Sequence, residues 1–226
     1  MIIISGASKG IGKYLLDKFN NEGQKVIGLF NSTLPKTNTE LFQHVNILEE
    51  DQIIKFVKDN LIQLKDIILI NCAGTNYNSM SHKFDYNEWK KVFDVNTHGT
   101  FLLIKHLLPI MRDQKYGRII NFASVVPQIG TMGTAAYAGS KSALWGITKV
   151  IAKENASKGI TINSLNLGYF NIGMISEVPE NVLNSIIEMI PKKELGDPIN
   201  ILNAINFLIN SDYITGTAID INGGLF

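Results

Sequence analysis

The feature that most constrains the fold is an alternation of short apolar runs with helical patterns along the chain. The apolar runs are rich in Ile and Val without clean polar alternation, which predicts strands buried on both faces. The predicted strands are residues 1–5, 25–30, 42–46, 67–71, 118–123, 161–166 and 218–221. Helical patterns occur at residues 11–22, 49–61, 86–111, 136–157 and 198–210. This order predicts an α/β fold in which helices cover a parallel sheet.

Length and composition limit the number of domains, the kinds of partner and the compartment. The chain has 226 residues and no linker-like stretch, so we expect one domain over residues 1–226, with a long insertion of one or two short helices at 171–194. The net charge of +1 gives no general argument for nucleic acid or membrane as a partner. The single cysteine, Cys72, fits a reducing compartment, and the four histidines show no metal-ligand spacing. We therefore expect a soluble, metal-free cytoplasmic protein.

A glycine-rich turn follows the first predicted strand and opens the first predicted helix. Its sequence is Gly6-Ala7-Ser8-Lys9-Gly10-Ile11-Gly12, and we call it the glycine turn. Glycines allow backbone N–H groups to approach a pyrophosphate, and the helix N-terminus favours an anion. The Gly-x-x-x-Gly-x-Gly spacing differs from the Gly-x-Gly-x-x-Gly fingerprint of doubly wound dehydrogenases. A purely structural turn is the alternative interpretation.

Acid–base chemistry is indicated by three residues around the fifth predicted strand. Ser124 stands where that strand ends, and Tyr137 and Lys141 are four residues apart on the next helix, so they share a face. A nearby ammonium lowers the pKa of a phenol, which predicts a usable acid at Tyr137. The Ser124 hydroxyl would meet a substrate oxygen on which charge develops. The alternative is a Tyr and a Lys on a solvated helix face, with Ser124 in a turn.

Five motifs in this order resemble the short-chain dehydrogenase/reductase family, and the resemblance extends over the whole chain. They are the glycine turn, Asn71-Cys72-Ala73-Gly74, Val95-Asn96-Thr97-His98-Gly99, the Ser124, Tyr137 and Lys141 set, and the C-terminal segment from Gly216 to Gly224. The resemblance implies a doubly wound fold with a seven-stranded parallel sheet. It also implies a homodimer or homotetramer paired through the Asn96 and Tyr137 helices.

Residue roles follow from the resemblance alone. It implies that Tyr137 gives a proton to a carbonyl, that Lys141 lowers the Tyr137 pKa and holds the nicotinamide ribose, and that Ser124 polarises the carbonyl. Asn96 would order a water that relays protons to Lys141, although it could simply kink or cap its helix. Hydride transfer belongs to the cofactor. The implied cofactor contacts are Gly6, Ser8, Lys9, Gly10, Ile11, Gly12, Asn31, Ser32, Asn46, Ile47, Asn71, Ala73, Gly74, Tyr137, Lys141, Gly168 and Ile172.

Two positions depart from the family pattern. Where the family has Pro-Gly and then a Thr that contacts the cofactor, this chain has Leu167-Gly168 and then Ile172. An isoleucine offers no hydroxyl, so cofactor affinity or closure of the insertion at 171–194 is in question. Cys72 replaces the second Asn of the family motif, and we interpret it as a small turn residue rather than a nucleophile.

The end of the second predicted strand bears on cofactor choice. NAD-preferring relatives usually place an Asp there, whereas this chain has Asn31-Ser32. A neutral end tolerates a 2′-phosphate, and Lys9 can reach that phosphate as a point charge. Lys9 could equally be a solvated loop lysine. On the missing Asp we expect NADPH to be preferred over NADH.

Four segments narrow the resemblance further: Ser124-Val125-Val126, Thr131-Met132-Gly133, Tyr213-Ile214-Thr215-Gly216 and the closing Asn222-Gly223-Gly224. In these segments the chain looks most like the 3-oxoacyl-acyl-carrier-protein reductases of the family. The expected substrate is a 3-oxoacyl thioester on acyl carrier protein, which is an acidic partner. Docking of such a partner needs basic side chains near the site mouth. Lys115 and Lys158 fall where those enzymes place basic docking residues, although lysines also commonly end helices. A sugar, polyol or secondary-metabolite ketone is the alternative substrate. A regulatory, cofactor-binding protein with a silent site is the alternative outside enzymes.

Overall fold

The computed structural model describes residues 1–33, 35 and 37–226. Leu34 and Lys36, in the short connection between the second and third strands, lie outside the described residues. Seven parallel strands form one sheet in the order β3-β2-β1-β4-β5-β6-β7. Their bounds are β1 Ile2–Ser5, β2 Val26–Phe30, β3 Phe42–His44, β4 Ile68–Asn71, β5 Gly117–Ser124, β6 Ile160–Leu167 and β7 Ala218–Ile221. The predicted sheet is therefore confirmed.

Helices cover both faces of this sheet. They are α1 Gly10–Asn21, α2 Glu50–Asn60, α3 Tyr86–Phe93, α4 Thr100–Gln114, α5 Val126–Ile129, α6 Ala135–Asn155, α7 Glu180–Met189 and α8 Ile199–Ile209. One apolar core joins the sheet to α1 and α8, and a second joins it to α2, α4 and α6. Because both faces are covered, β5 and β6 are buried along their full length. Among the described residues, no helix is both long and apolar enough to cross a membrane.

The helix predicted over residues 86–111 is divided in the structure. Tyr86–Phe93 and Thr100–Gln114 are α-helical, and the six residues between them, Asp94–Gly99, form a wider π-helical turn. Asn96 lies inside this turn with its side chain fully buried. A turn of this kind inserts an extra residue into the helical ladder and is often found at functional sites.

Helix α6 is fixed to the sheet by a row of buried polar side chains. The Asn71 amide donates to Asn121 Oδ1 at 2.8 Å, and the Asn121 amide donates to Thr148 Oγ1 at 3.0 Å. Thr148 Oγ1 is in turn 2.9 Å from Ser164 Oγ. Buried polar groups of this kind specify one arrangement, because leaving any member unpaired is costly. The row therefore sets the position of α6 relative to β4, β5 and β6.

The insertion at residues 171–194 contains a 3₁₀ turn, Gly173–Glu177, and the helix α7. Its base is closed by backbone pairing, since the Asn171 N–H donates to Gly196 O and the Gly196 N–H donates to Tyr169 O. The two ends of the insertion therefore meet. We call residues 171–194 the lid. Sequence reasoning predicted these short helices but not the closed base.

Candidate active site

Parallel strands all end at one edge of the sheet, and the polar residues singled out from the sequence gather there. Ser5, Asn71 and Ser124 are the last residues of β1, β4 and β5. The strand order changes direction between β1 and β4, which is where doubly wound folds open a crevice for a ligand. The glycine turn and the N-terminus of α6 border the same edge.

Ser124 and Tyr137 face each other in a buried position. Ser124 lies close enough to the Tyr137 phenol to lower its pKa, and its Oγ accepts from the Val126 N–H at 3.1 Å. Tyr137 packs beside Val92 and Ala136. The two hydroxyls are thus held by strand, turn and helix together, and a substrate oxygen could reach both of them.

Lys141 lies one helical turn beyond Tyr137 and is also buried. Its ammonium donates to the Phe122 carbonyl at 2.6 Å and lies 5.8 Å from the centre of the Tyr137 ring. Burial disfavours the charged form and lowers the pKa of Lys141 to about 8. The alternative of a solvated Tyr–Lys face is therefore wrong for this helix.

The expected lowering of the Tyr137 pKa is wrong for the structure as it stands. Burial raises the pKa of Tyr137 from its ordinary value, and Tyr169 and Cys72 raise it further, whereas Ser124 lowers it. Desolvation of the phenolate therefore outweighs the favourable contacts. The phenol remains protonated at neutral pH, which is the state a proton donor needs.

Asn96 is held by three hydrogen bonds of its own. Its Oδ1 accepts from the Thr75 N–H at 2.8 Å, and its Nδ2 donates to Thr75 O at 3.0 Å and to Ser140 Oγ at 2.9 Å. It faces Lys141 across Gly74, because a Cβ added at Gly74 would lie 3.3 Å from Asn96 Oδ1 and 3.5 Å from Lys141 Nζ. Asn96 thus joins the β4 exit to α6 close to Lys141.

The glycine turn has backbone angles and close contacts that only glycine tolerates. Gly6 and Gly10 have φ values of +63° and +58°, and a Cβ at Gly12 would lie 2.4 Å from Gly6 O. Lys9, at the N-cap of α1, makes no capping hydrogen bond through its side chain, and the first turn contains no acidic residue. The Lys9 side chain therefore does not cap the first N–H groups of α1, and these groups could donate hydrogen bonds to a bound anion. The half-buried Ser8 and Ile11 complete this turn.

The exit of β4 packs directly against the glycine turn. A Cβ at Gly6 would lie 2.6 Å from Ala73 Cα, so the two loops touch through their backbones. Ser5 Oγ accepts from the N–H groups of Cys72 and Ala73 at 3.2 Å each. Asn71 is 2% exposed, and its Oδ1 has no hydrogen-bond partner among the described residues. This orphaned acceptor in the crevice fits a site completed by a ligand or water.

Cys72 does not have the character of a nucleophile. Burial raises the pKa of its thiol to about 12, and the lowering contributions from Lys141 and the Gly12 N–H are smaller. The thiol is therefore protonated at neutral pH and is unreactive. Its interpretation as a small residue in the turn agrees with this environment.

One side of the crevice is formed by the ends of β2 and β3. Asn31 and Ser32 follow β2 and are exposed, and the Ala7 N–H donates to Leu29 O, which ties the glycine turn to β2. Asn46 caps the next turn through Oδ1, which accepts from the Leu48 N–H at 3.1 Å. Ile47 is buried against Gly99.

Ile172 and Gly168 occupy the first part of the connection after β6. Gly168 is required sterically, because an added Cβ would lie 2.7 Å from Asn222 Cα. Ile172 is half-buried and packs against the core that α1 covers, and Gly173 follows it beside Gly10. Ile172 therefore anchors the lid by apolar contact at the position where relatives use a hydroxyl.

The predicted location of Lys115 and Lys158 beside the site mouth is wrong within one chain. Lys115 precedes β5 and Lys158 precedes β6, and a Cβ at Gly159 would lie 2.2 Å from Lys115 O. They are thus neighbours, but at the opposite edge of the sheet from Ser124. The seven steps from Gly117 to Ser124 separate them from the site by about 23 Å, at roughly 3.3 Å per residue.

Sequence reasoning missed several residues that position the site. Ser140 donates to Tyr137 O at 2.8 Å and accepts from Asn96, and Phe122 supplies the carbonyl that holds Lys141. Tyr169, two residues before the lid, raises the pKa of the Tyr137 phenol. A small polar residue on the inward face of a helix, as at Ser140, was the one signal available in the sequence. A backbone carbonyl such as that of Phe122 leaves none.

A sheet in this strand order with a glycine turn before its first helix defines the doubly wound, nucleotide-binding class of proteins. Residues 1–183 match the family model described as short chain dehydrogenase, and the chain belongs to this family of oxidoreductases. Members of the family use a nicotinamide cofactor, and the glycine turn and the orphaned Asn71 acceptor fit such a group. Among the described residues, no group of three or more His, Cys, Asp or Glu side chains could hold a metal ion.

Three curated relatives illustrate the similarity. A 3-oxoacyl-[acyl-carrier-protein] reductase of Staphylococcus epidermidis is 29% identical over 238 residues, covering 99% of this chain and 98% of that protein. One from Aquifex aeolicus is 31% identical over 239 residues, with 99% and 96% coverage. An acetoacetyl-CoA reductase of Shinella zoogloeoides is 40% identical over 162 residues, covering 70% of this chain and 67% of that protein.

Burial of Lys141 predicts a characteristic pH dependence of stability. Its pKa is about 8 in the fold and 10.5 ordinarily, so below pH 8 the folded state bears the full cost of a buried charge. Between these values the unfolded state binds more protons, and this group makes stability rise with pH. Lys141→Met should therefore raise the free energy of unfolding by about 1–3 kcal/mol near neutral pH. The gain should shrink as the pH rises through this window.

Urea unfolding of both proteins across this pH range measures the effect. Lys149→Met, which removes an exposed ammonium from the same helix, is the matched control. A difference between wild type and Lys141→Met that stays constant with pH would contradict a charge buried at Lys141.

Proposed function

We propose that residues 1–226 form one domain that reduces the ketone of a 3-oxoacyl thioester to an alcohol with NADPH. The observation that carries this proposal is the buried, protonated phenol of Tyr137 beside the buried Ser124, with the Lys141 ammonium 5.8 Å from the centre of the Tyr137 ring. Such a constellation can give a proton to an oxygen on which negative charge develops. The matched family and the names of the relatives support a carbonyl as the group reduced.

Each residue has a distinct task in this proposal. A bound nicotinamide would supply hydride to the carbonyl carbon. The Ser124 hydroxyl donates a hydrogen bond to the carbonyl oxygen, and Tyr137 gives that oxygen its proton. Lys141 has a pKa of about 8, so near neutral pH its ammonium can stabilise the phenolate left behind and return a proton to it. Asn96 and Ser140 hold this part of α6 in place.

Replacing Tyr137 tests the proposed acid. Tyr137→Phe keeps the ring and its packing but removes the donor, so turnover should fall by about 10²–10⁴-fold. Cofactor affinity should change little, because the phosphate turn and the β2 end are untouched. Steady-state kinetics together with cofactor titration measure both quantities. A variant that keeps more than about a tenth of the normal kcat would contradict the role.

We propose that NADPH is preferred over NADH as the cofactor because of the residues at the end of β2. Asn31 and Ser32 are exposed and neutral, so these two residues do not repel a 2′-phosphate. The exposed Lys9 lies on the glycine turn, which the Ala7 N–H ties to β2. We expect kcat/KM to be at least about tenfold higher with NADPH, since an ammonium–phosphate contact is charge-assisted. Measuring kcat/KM for the two cofactors with one substrate tests this. A preference for NADH would refute it.

If acyl carrier protein is the partner, the docking lysines beside a given site must come from a second subunit. Lys115 and Lys158 lie far from their own chain's site, but α6 is about 31 Å long, at 1.5 Å for each of its 21 residues. A two-fold axis perpendicular to α6 would reverse the helix and bring these lysines towards the partner's Tyr137 end. The homodimer or homotetramer implied by the family resemblance would contain such a pairing.

Charge reversal at these lysines tests carrier docking. The double variant Lys115→Glu with Lys158→Glu should raise KM severalfold for a 3-oxoacyl chain carried on the acidic carrier protein. It should leave KM for a small β-keto ester nearly unchanged, because rim charges act mainly on protein association. The effect should fade with added salt. Equal changes for both substrates, or no change for either, would leave a free small-molecule carbonyl as the substrate.

A further inference from the structure

An ion pair connects the lid to the glycine turn. Lys9 Nζ lies 3.8 Å from Glu177 Oε1, and the two side chains are 83% and 75% exposed. Lys9 is the N-cap residue of α1, and Glu177 is the last residue of the 3₁₀ turn in the lid. The pair therefore joins the glycine turn, which would hold the cofactor phosphates, to the lid, which would cover them.

Backbone packing holds the two partners near each other. A Cβ added at Gly10 would lie only 3.1 Å from Gly173 Cα, so the lid rests directly on the glycine turn. Ser176 Oγ donates to Gly173 O at 2.8 Å and closes the 3₁₀ turn that ends at Glu177. Ile172 anchors the same segment in the core beneath α1. These contacts of the lid segment hold Glu177 beside Lys9.

A phosphate on the adenosine ribose would meet the same ammonium. Lys9 lies two residues beyond Ala7, whose N–H donates to Leu29 O near the end of β2, where that ribose would lie. A lysine ammonium acts as a single compact charge. A dianionic phosphate and the Glu177 carboxylate would compete for it. NADH carries no phosphate at this position, so its binding leaves the pair undisturbed.

We propose that Glu177 is a cofactor-specificity residue that opposes NADPH binding by occupying Lys9. The 2′-phosphate and the lid carboxylate are alternative partners of one ammonium. Binding of NADPH releases Glu177, whereas binding of NADH leaves the lid paired to the glycine turn. This inference rests on one part of the proposed function, namely that the cofactor places its 2′-phosphate near Lys9.

Fluorescence titration of NADPH and NADH into the protein without substrate tests the inference. An exposed ion pair is worth little, so Glu177→Gln should tighten NADPH binding by about three- to fivefold. Binding of NADH should change by less than about twofold, because its ribose does not compete for Lys9. The gain for NADPH should diminish as ionic strength rises.

Two further variants separate this account from a general effect of charge. Glu188→Gln removes the same charge from the same lid, but its partner is Lys193 at 3.5 Å, so NADPH affinity should stay at the wild-type value. In a Lys9→Met background, the gain from Glu177→Gln should disappear. A gain shared equally by NADH, a gain that survives without Lys9, or no gain at all would overturn the inference. Because no substrate is present, these results are independent of whether the protein reduces a 3-oxoacyl thioester.

Discussion

The hydrogen bond from the buried Lys141 ammonium to the Phe122 carbonyl is the interaction on which the site depends. It joins α6 to the end of β5 at 2.6 Å, one turn from Tyr137 and two residues before Ser124. A charge in this position lowers stability, and burial moves its pKa to about 8. A group that titrates close to neutral pH beside a protonated phenol is suited to proton transfer. The stability lost by burying this ammonium is therefore associated with a chemical function.

The surrounding structure maintains that arrangement through polar contacts rather than apolar packing alone. The row from Asn71 to Ser164 fixes α6 on the sheet, and Asn96 fixes its first turns to the β4 exit. The π-helical turn at Asp94–Gly99 places Asn96 within reach of both Thr75 and Ser140. Because these contacts are buried, small displacements of α6 would leave polar groups unpaired, so Tyr137 and Ser124 stay aligned.

Much of the fold could be predicted from the sequence, because runs such as Ile67–Asn71 and Arg118–Ala123 carry the composition of doubly buried strands. The shared face of Tyr137 and Lys141 followed from helical spacing. The direction of the Tyr137 pKa shift did not, since it depends on how much solvent the fold excludes. The location of Lys115 and Lys158 was also wrong, because spacing along the chain does not show at which edge of the sheet a residue lies. Hydrogen bonds to backbone carbonyls, such as that of Phe122, leave no pattern in the sequence.

We propose that this chain reduces a 3-oxoacyl thioester at Tyr137 using a nicotinamide cofactor. Mixing the purified chain with NADPH and a panel of 3-oxoacyl thioesters, simple ketones and sugar nucleotides tests this proposal. Consumption of NADPH and formation of the alcohol product are followed together. We expect one 3-hydroxyacyl thioester to form for each NADPH oxidised, with the thioesters as the best substrates. Failure to oxidise NADPH with any thioester would contradict the proposal, whether or not another class of carbonyl compound is reduced.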